Sequence, residues 1–255
     1  MEIDLLRLLW ALGLMVLAIG CSVWQRLGLG WNLAIATLRT SLQLLMMGYF
    51  LAIVFVWRHP WAVLVALLVM LTMVTVVTRN GISKKIPRLW LLIGGSFLAA
   101  TGLTLAYTIL LILQPQHWYE PQYLIPLAGI LFGNAMNGAA IAGERLATTI
   151  SQYRLEIETH LSLGATPQQA IVQYHRDAIK AGFIPTLNTM MVAGMVTLPG
   201  VFSGQLLGGV DPLNAALDQI LIMFMLAFST LLTLLLVTQG LCRSFFNQAA
   251  QLIIY

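Results

Sequence analysis

Runs of apolar residues, each about as long as a bilayer-spanning helix, recur along this chain from end to end. The first lies in residues 5–24 and the last in residues 219–240. A helix needs roughly 20 predominantly apolar residues to cross a hydrocarbon core of about 30 Å. Only helices and closed barrels satisfy all backbone polar groups in lipid, and these runs do not alternate as barrel strands do. The pattern therefore predicts an all-α, polytopic helical membrane protein.

The charged fraction of the chain excludes a water-soluble fold of this size. Of 255 residues, 59% are hydrophobic and 9% are charged, whereas soluble domains carry about 25% charged residues. Glu2 and Asp4 outnumber Arg7 at the N-terminus, so the first apolar run lacks the basic start of a secretory signal and is interpreted as a retained span. Cys21 and Cys242 lie near opposite ends in apolar surroundings and indicate neither a disulfide framework nor a metal cluster.

Hydropathy and helix breakers predict seven spans within one transmembrane domain, residues 1–255. Residues 31–39 fit either a longer second span or an interfacial helix. The long amphiphilic segment of the chain, about residues 144–182, lies between the fifth and sixth spans. The predicted spans lie near residues 5–24, 39–57, 61–79, 90–113, 122–143, 184–203 and 219–240.

The distribution of basic residues predicts the orientation. The connection "RNGISKKIPRLW" and the amphiphilic segment are rich in Lys and Arg, whereas "QPQHWYEPQ" and "SGQLLGGVDPLNAALDQ" contain none. Cytoplasmic connections carry this excess. We therefore expect a multi-pass protein of the inner (plasma) membrane, surrounded by lipid, with its N-terminus outside and its C-terminus in the cytoplasm. The net charge of +4 reflects this orientation and does not indicate a nucleic-acid partner.

The sequence "LSLGATPQQA" predicts a sharp elbow between two cytoplasmic helices. Gly164 can take the left-handed conformation that ends a helix. Thr166 suits an N-cap, Pro167 the first helical position and Gln169 the third, which together predict a capping box. Periodicity predicts that Tyr153, Ile157 and Leu161 share a face of the first helix, and that Ala170, Ile171, Tyr174 and Ala178 share a face of the second. A helix pair lying on the inner membrane surface is an alternative interpretation of this segment.

Three stretches in order, "NAMNGAAIAGERL", "LEIETHLSLGATPQQA" and "TLNTMMVAGMVTLPGVFSGQLLGG", resemble the FetB-like permeases of ATP-binding-cassette (ABC) transporters. That family includes bacterial iron-export permeases and plant aluminium-tolerance permeases. The resemblance implies that the elbow is a coupling helix seated in a cleft on a separate ATPase subunit. The docking residues that it implies are Glu156, Glu158, Leu161, Gly164, Ala165, Thr166 and Pro167.

The chain contains no G-x4-G-K-[ST] phosphate loop, so ATP and Mg would be bound by the partner subunit and this chain would carry no cofactor and no enzyme activity. The resemblance implies two permease copies, a homodimer, with two ATP-binding subunits. It also implies export of iron or a related metal species. A nucleotide sugar or other small polar solute is an alternative substrate, and an ATPase-independent secondary transporter is an alternative mechanism.

Polar residues inside a bilayer are costly and are therefore candidates for function. Interhelical hydrogen bonding is the alternative role for each of them. For Glu144, an ion pair with Arg145 or Arg39 at the cytoplasmic face is an expectation. The candidate pathway residues are Arg39, Gln43, Asn134, Asn137, Glu144 and Asn188.

Prolines and glycines predict where the spans bend and approach one another. Pro199 and Gly200 predict a kink or interruption that acts as a hinge in the sixth span. Gly129 and Gly133 give the fifth span a small-xxx-small face for close helix contact. The twelve methionines are typical of apolar filling, and no metal site is predicted.

Overall fold

The computed structural model of the protein describes residues 5–57, 59–83, 86, 89–115, 117–247 and 251–253, and the regular elements within these ranges are helices. A π-helical turn, Thr108–Leu113, continues α4. The helices are α1 (Leu5–Trp24), α2 (Gly30–Trp57), α3 (Pro60–Ile82), α4 (Leu89–Tyr107), α5 (Pro121–Gln152), α6 (Arg154–Ser162), α7 (Pro167–Val192), α8 (Gly200–Leu207) and α9 (Pro212–Ser244).

Five segments are long and apolar enough to cross a bilayer, which confirms the all-α, polytopic prediction. A shorter apolar helix lies at Trp10–Trp24. The total of seven spans remains a prediction. The five segments are Gly30–Val56, Pro60–Ile82, Leu89–Leu113, Pro121–Gln152 and Pro212–Ser244.

Several helices extend past the predicted boundaries. Helix α2 begins at Gly30, so residues 31–39 belong to a longer second helix. Helix α5 runs on to Gln152, well beyond the predicted limit near residue 143. Helix α9 begins at Pro212 because Asp211 caps it, with Oδ2 accepting from the amides of Leu213 at 3.1 Å and Asn214 at 3.3 Å. Hydropathy marks the lipid-immersed part of a helix, whereas caps mark its ends.

The predicted sixth span, residues 184–203, is interrupted, as its Pro-Gly pair predicts, and the two pieces belong to different helices. Helix α7 ends at Val192 and α8 begins at Gly200, with Pro199 as its N-cap. Gly194 has a φ of +81°, a left-handed conformation that a continuing right-handed helix excludes. The interruption therefore ends at Pro199, next to Gly200, and starts at Ala193, six residues before Pro199. Its role as a hinge remains a prediction.

The described residues form two compact units, one before and one after residue 58. In the first unit α1 packs against α2. In the second, α5 is central and contacts α3, α7 and α9, while α4 packs against α3 and α9. Large side chains that are fully buried in this second unit include Phe97, Ile93, Leu131, Leu146 and Leu234.

Glycines allow α5 and α7 to cross almost backbone to backbone. A Cβ placed on Gly182 would lie 2.5 Å from the carbonyl oxygen of Gly138, and one on Gly138 would lie 2.9 Å from the carbonyl oxygen of Gly182. The predicted close-contact glycines behave differently: Gly129 faces the Met70 methyl group, and a Cβ on Gly133 would meet no atom within 4 Å. The close helix crossing is thus about one and a half to two and a half turns further along α5 than the small-xxx-small pattern predicts.

Candidate functional site: a helix elbow and a broken helix

Helix α6 ends in a Schellman motif centred on Gly164. The amide of Ala165 donates to the carbonyl of His160 at 3.0 Å, and the amide of Gly164 donates to the carbonyl of Leu161 at 3.0 Å. Gly164 has a φ of +91°, as this motif requires. The chain therefore leaves α6 at an angle fixed by two backbone hydrogen bonds.

Helix α7 begins immediately afterwards with the predicted capping box, which is confirmed. The amide of Gln169 donates to Thr166 Oγ1 at 3.3 Å, and the amide of Thr166 donates to Gln169 Oε1 at 2.9 Å. Pro167 occupies the first turn, where its missing N–H costs nothing. Two adjoining cap motifs thus make the helix–elbow–helix a locally determined structure.

The inner faces of the elbow helices pack as the periodicity predicts. Ile157 is fully buried in α6, and Ala170, Ile171 and Ala178 are buried in α7. Tyr153, at the junction of α5 and α6, stacks on Tyr174 with ring centroids 5.4 Å apart and planes 18° apart. Burial, followed by the hydrogen bond and charge of Glu156, raises the pKa of Tyr174 to about 12. This tyrosine therefore stays neutral and ties α7 to α6.

The outer side of the elbow combines exposed leucines with charges. Leu155 and Leu163 are 78% and 80% exposed. Glu158 Oε1 accepts from Arg154 Nε at 2.7 Å, and Glu156 Oε1 lies 4.0 Å from His160 Nε2. An apolar surface rimmed by charged groups is typical of a site that binds another protein.

The described end of the chain folds back beside the elbow, a feature that sequence reasoning missed. The amide of Ile253 donates to the carbonyl of Phe245 at 2.8 Å, and Leu252 forms an antiparallel bridge with Phe246. Gln251 and Leu252 line a recess together with Glu158 and Leu161. The apolar sequence "LIIY" is the signal that could have indicated a packed tail.

Asn134 joins three helices through its side-chain amide. Its Nδ2 donates to Thr186 Oγ1 of α7 at 2.9 Å and to Thr230 Oγ1 of α9 at 2.8 Å. Both threonines are buried. This geometry favours the structural role of Asn134, since both N–H groups of the amide are already used.

The other candidate pathway residues are exposed and divide between the two units. Asn137, Glu144 and Asn188 are exposed on the second unit, and no ion pair to Glu144 occurs among the described residues. Arg39 and Gln43 are exposed on α2, in the first unit. Their assignment to a pathway remains a prediction.

We expect Asn134→Leu to lower the free energy of unfolding by about 1 kcal/mol, because two interhelical hydrogen bonds of about 0.6 kcal/mol each are lost. Asn137→Leu is the matched control on the same helix, since Asn137 is exposed, and should change stability by less than about 0.5 kcal/mol. Unfolding in detergent, followed by tryptophan fluorescence, measures both values. Equal stability of the two variants would contradict the bonding role.

The break between α7 and α8 borders a cavity of about 370 Å³. Ala193, Gly194 and Pro199 line it from the break, and Gln219 lines it from α9. Gln219 is buried, and its Oε1 accepts the amide of Phe202 in the first turn of α8 at 3.2 Å. The cavity is therefore mainly apolar with a polar edge at the interrupted backbone.

Among the described residues, no group of three or more His, Cys, Asp or Glu side chains is arranged to hold a metal ion. Backbone carbonyls and single polar side chains supply the polarity near the break.

The family described as "Uncharacterised protein family (UPF0014)" matches residues 5–246. A UPF0014 membrane protein of Synechocystis sp. is 50% identical over 99% of this chain and 98% of its own length. The chain belongs to the UPF0014 family. This UPF0014 chain is thus a multi-pass membrane protein, and the resemblance inferred from the elbow and its neighbouring stretches is confirmed.

Two other relatives of this UPF0014 chain have more informative names. The "Probable iron export permease protein FetB" of Escherichia coli is 33% identical over 96% of this chain and 93% of that protein. The "Protein ALUMINUM SENSITIVE 3" of Arabidopsis thaliana is 33% identical over 95% of this chain and 87% of that protein. No solved structure matches this UPF0014 chain.

Proposed function

We propose that this UPF0014 protein is the transmembrane permease subunit of an ABC transporter and that a separate ATP-binding subunit drives it. The observation that carries the proposal is the elbow at residues 154–169. Its angle is fixed by the Schellman motif and the capping box, and its outer side exposes Leu155 and Leu163. Such a preorganised surface suits docking, because little conformational entropy is lost on binding.

The elbow is placed to transmit motion, because α5 leads into it and α7 leads out of it. These two helices cross tightly at Gly138 and Gly182, and α6 is tied to α7 by the ring stack of Tyr153 and Tyr174. A displacement of the docked ATPase would therefore move both helices together. The break beyond Val192 would accommodate this displacement of α7, with Pro199 and Gly200 as the hinge. ATP and Mg would stay on the partner subunit.

The name of the Escherichia coli relative supports iron or a related metal species as the substrate and export as the direction. The printed name of the Escherichia coli relative supports a permease role, and its alignment over 96% of this chain supports carrying that role over as a proposal. We propose an assembly of two permease copies and two ATP-binding subunits in the inner membrane. The charge distribution supports an outside N-terminus and a cytoplasmic C-terminus.

Co-purification with the ABC ATP-binding subunits of the same organism tests the docking role. Leu163→Asp should weaken capture by about tenfold or more, because burying a leucine contributes about 1.5–3 kcal/mol and tenfold corresponds to about 1.4 kcal/mol. Leu213→Asp is the matched control, since Leu213 is 72% exposed at the start of α9. Full capture of Leu163→Asp, with normal stimulation of ATP hydrolysis in liposomes, would refute the proposed docking surface.

A further inference from the structure

The spacing of charged residues indicates that the break between α7 and α8 lies at membrane depth. Lys180 is the last charged residue before it, and no charged residue follows until Asp211. At 1.5 Å per helical residue, Val192 is about 18 Å along α7 from Lys180. The hydrocarbon core is about 30 Å thick. With Lys180 at the cytoplasmic face, the chain would become irregular near the middle of the bilayer, and α8 would continue toward the other side.

Four consecutive carbonyl groups in the break, those of residues 193–196, accept no hydrogen bond from any described residue. The amides of Met195, Val196 and Thr197 all converge instead on the carbonyl of Val192, at 3.3, 3.0 and 3.2 Å. Met195 and Val196 are 89% and 81% exposed. The break thus exposes a row of unsatisfied acceptors at membrane depth.

Lipid cannot surround such a segment, because each unsatisfied backbone group in hydrocarbon costs several kcal/mol. Non-helical backbone occurs at this depth only where protein buries it or where it lines a water-filled cavity. In a symmetric homodimer whose two-fold axis passes beside the break, the same surface of the second copy would face it. Acceptors would then face acceptors, and water or cations would have to lie between them.

We propose that the break at residues 193–199 forms the wall of a water-filled, cation-preferring binding site at the middle of the translocation pathway. The carbonyl oxygens of residues 193–196 accept hydrogen bonds from N–H or O–H groups of a small hydrated solute, or they coordinate its positive charge. The adjoining cavity of about 370 Å³ gives that solute room beside Gln219. The inference rests on the proposed function only in taking the solute to be cargo and the second copy to be present.

Thiol accessibility in intact membranes tests the site without any ATPase. In a background with Cys21→Ser and Cys242→Ser, single cysteines replace Val196, Leu98 and Asn214. Leu98 is the lipid-side control, 61% exposed on apolar α4, and Asn214 is the aqueous control, exposed at the start of α9. The probes are a cationic (trimethylammonium) and an anionic (sulfonate) methanethiosulfonate, with labelling followed by gel shift.

We expect V196C to react with the cationic probe about tenfold or more faster than L98C, since focused fields and water access raise local probe concentration by this order. The labelling rate of the cationic probe, divided by that of the anionic probe, should be higher at V196C than at N214C. M195C provides a second reporter if V196C accumulates poorly.

Three results would overturn the proposal. Rates at V196C equal to those at L98C would place the break in lipid or in a dry contact. A higher relative rate with the anionic probe would exclude a cation-preferring wall. Spontaneous V196C disulfides between copies, without labelling by either probe, would indicate a dry interface. Normal ATPase capture by Leu163→Asp would remove the proposed docking role and leave the labelling result intact, so the two failures are distinguishable.

Discussion

Replacing Gly182 with valine is expected to prevent accumulation of the folded protein. Its Cβ would lie 2.5 Å from the carbonyl oxygen of Gly138 and 2.8 Å from Cβ of Ala142. Neither neighbour can rotate away, because one is backbone and the other is the shortest of side chains. Overpacking of this kind costs about 1–3 kcal/mol and occasionally more, and here it acts on the contact between α5 and α7.

Alanine substitutions make the comparison quantitative, with detergent unfolding midpoints as the measurement. Gly182→Ala should destabilise the protein by about 2 kcal/mol, as an overpacked site does. Gly133→Ala is the control within α5, where the added Cβ meets no atom within 4 Å. It should stabilise the protein by up to about 1 kcal/mol, as glycine-to-alanine changes do in open helix positions. Shifts of the same sign in the unfolding midpoints of the two variants would show that the crossing is not tightly packed.

Replacing Gly164 with valine is expected to abolish ATPase capture while leaving the membrane helices folded. Gly164 has a φ of +91°, a region that a β-branched side chain avoids at a cost of at least about 1–2 kcal/mol. The substitution removes the chain reversal that fixes α6 against α7. Because Gly164 is exposed and no atom lies within 4 Å of its added Cβ, any effect comes from the backbone rather than from a clash.

Two substitutions separate this backbone effect from general damage. Gly164→Asn should retain most of the capture, since asparagine tolerates the left-handed conformation. Gly95→Val tests the same change in α4 at a glycine with no positive φ and no atom within 4 Å of the added Cβ, and should leave capture unchanged. Normal capture and transport by Gly164→Val would reduce the elbow to a surface feature.

The features that the sequence predicted well are those determined over short distances along the chain. Apolar length marks a membrane helix because lipid offers no partner for the backbone. The elbow was predictable because Gly164, Thr166 and Gln169 cap helices through bonds to residues three or four positions away.

The features that sequence reasoning missed depend on contacts between distant segments. Gly138 and Gly182 become neighbours only when α5 and α7 cross, so Gly129 and Gly133 gave the more obvious pattern. The partners of Asn134 lie on two other helices. The helix break starts at Ala193 rather than Pro199 because Gly194 reverses its backbone, and a single glycine in an apolar run carries no such signal.

The Gly138–Gly182 crossing lies near the middle of α5 and could act as a pivot for this helix. At 1.5 Å per residue, Gly138 lies about 26 Å from the start of α5 at Pro121 and about 21 Å from its end at Gln152. Rotation about this point would convert a push at the cytosolic end into an opposite swing of nearly equal size at the other end. A push on the cytosolic end of α5 could then move its far end, across the bilayer, while the crossing itself stays in place.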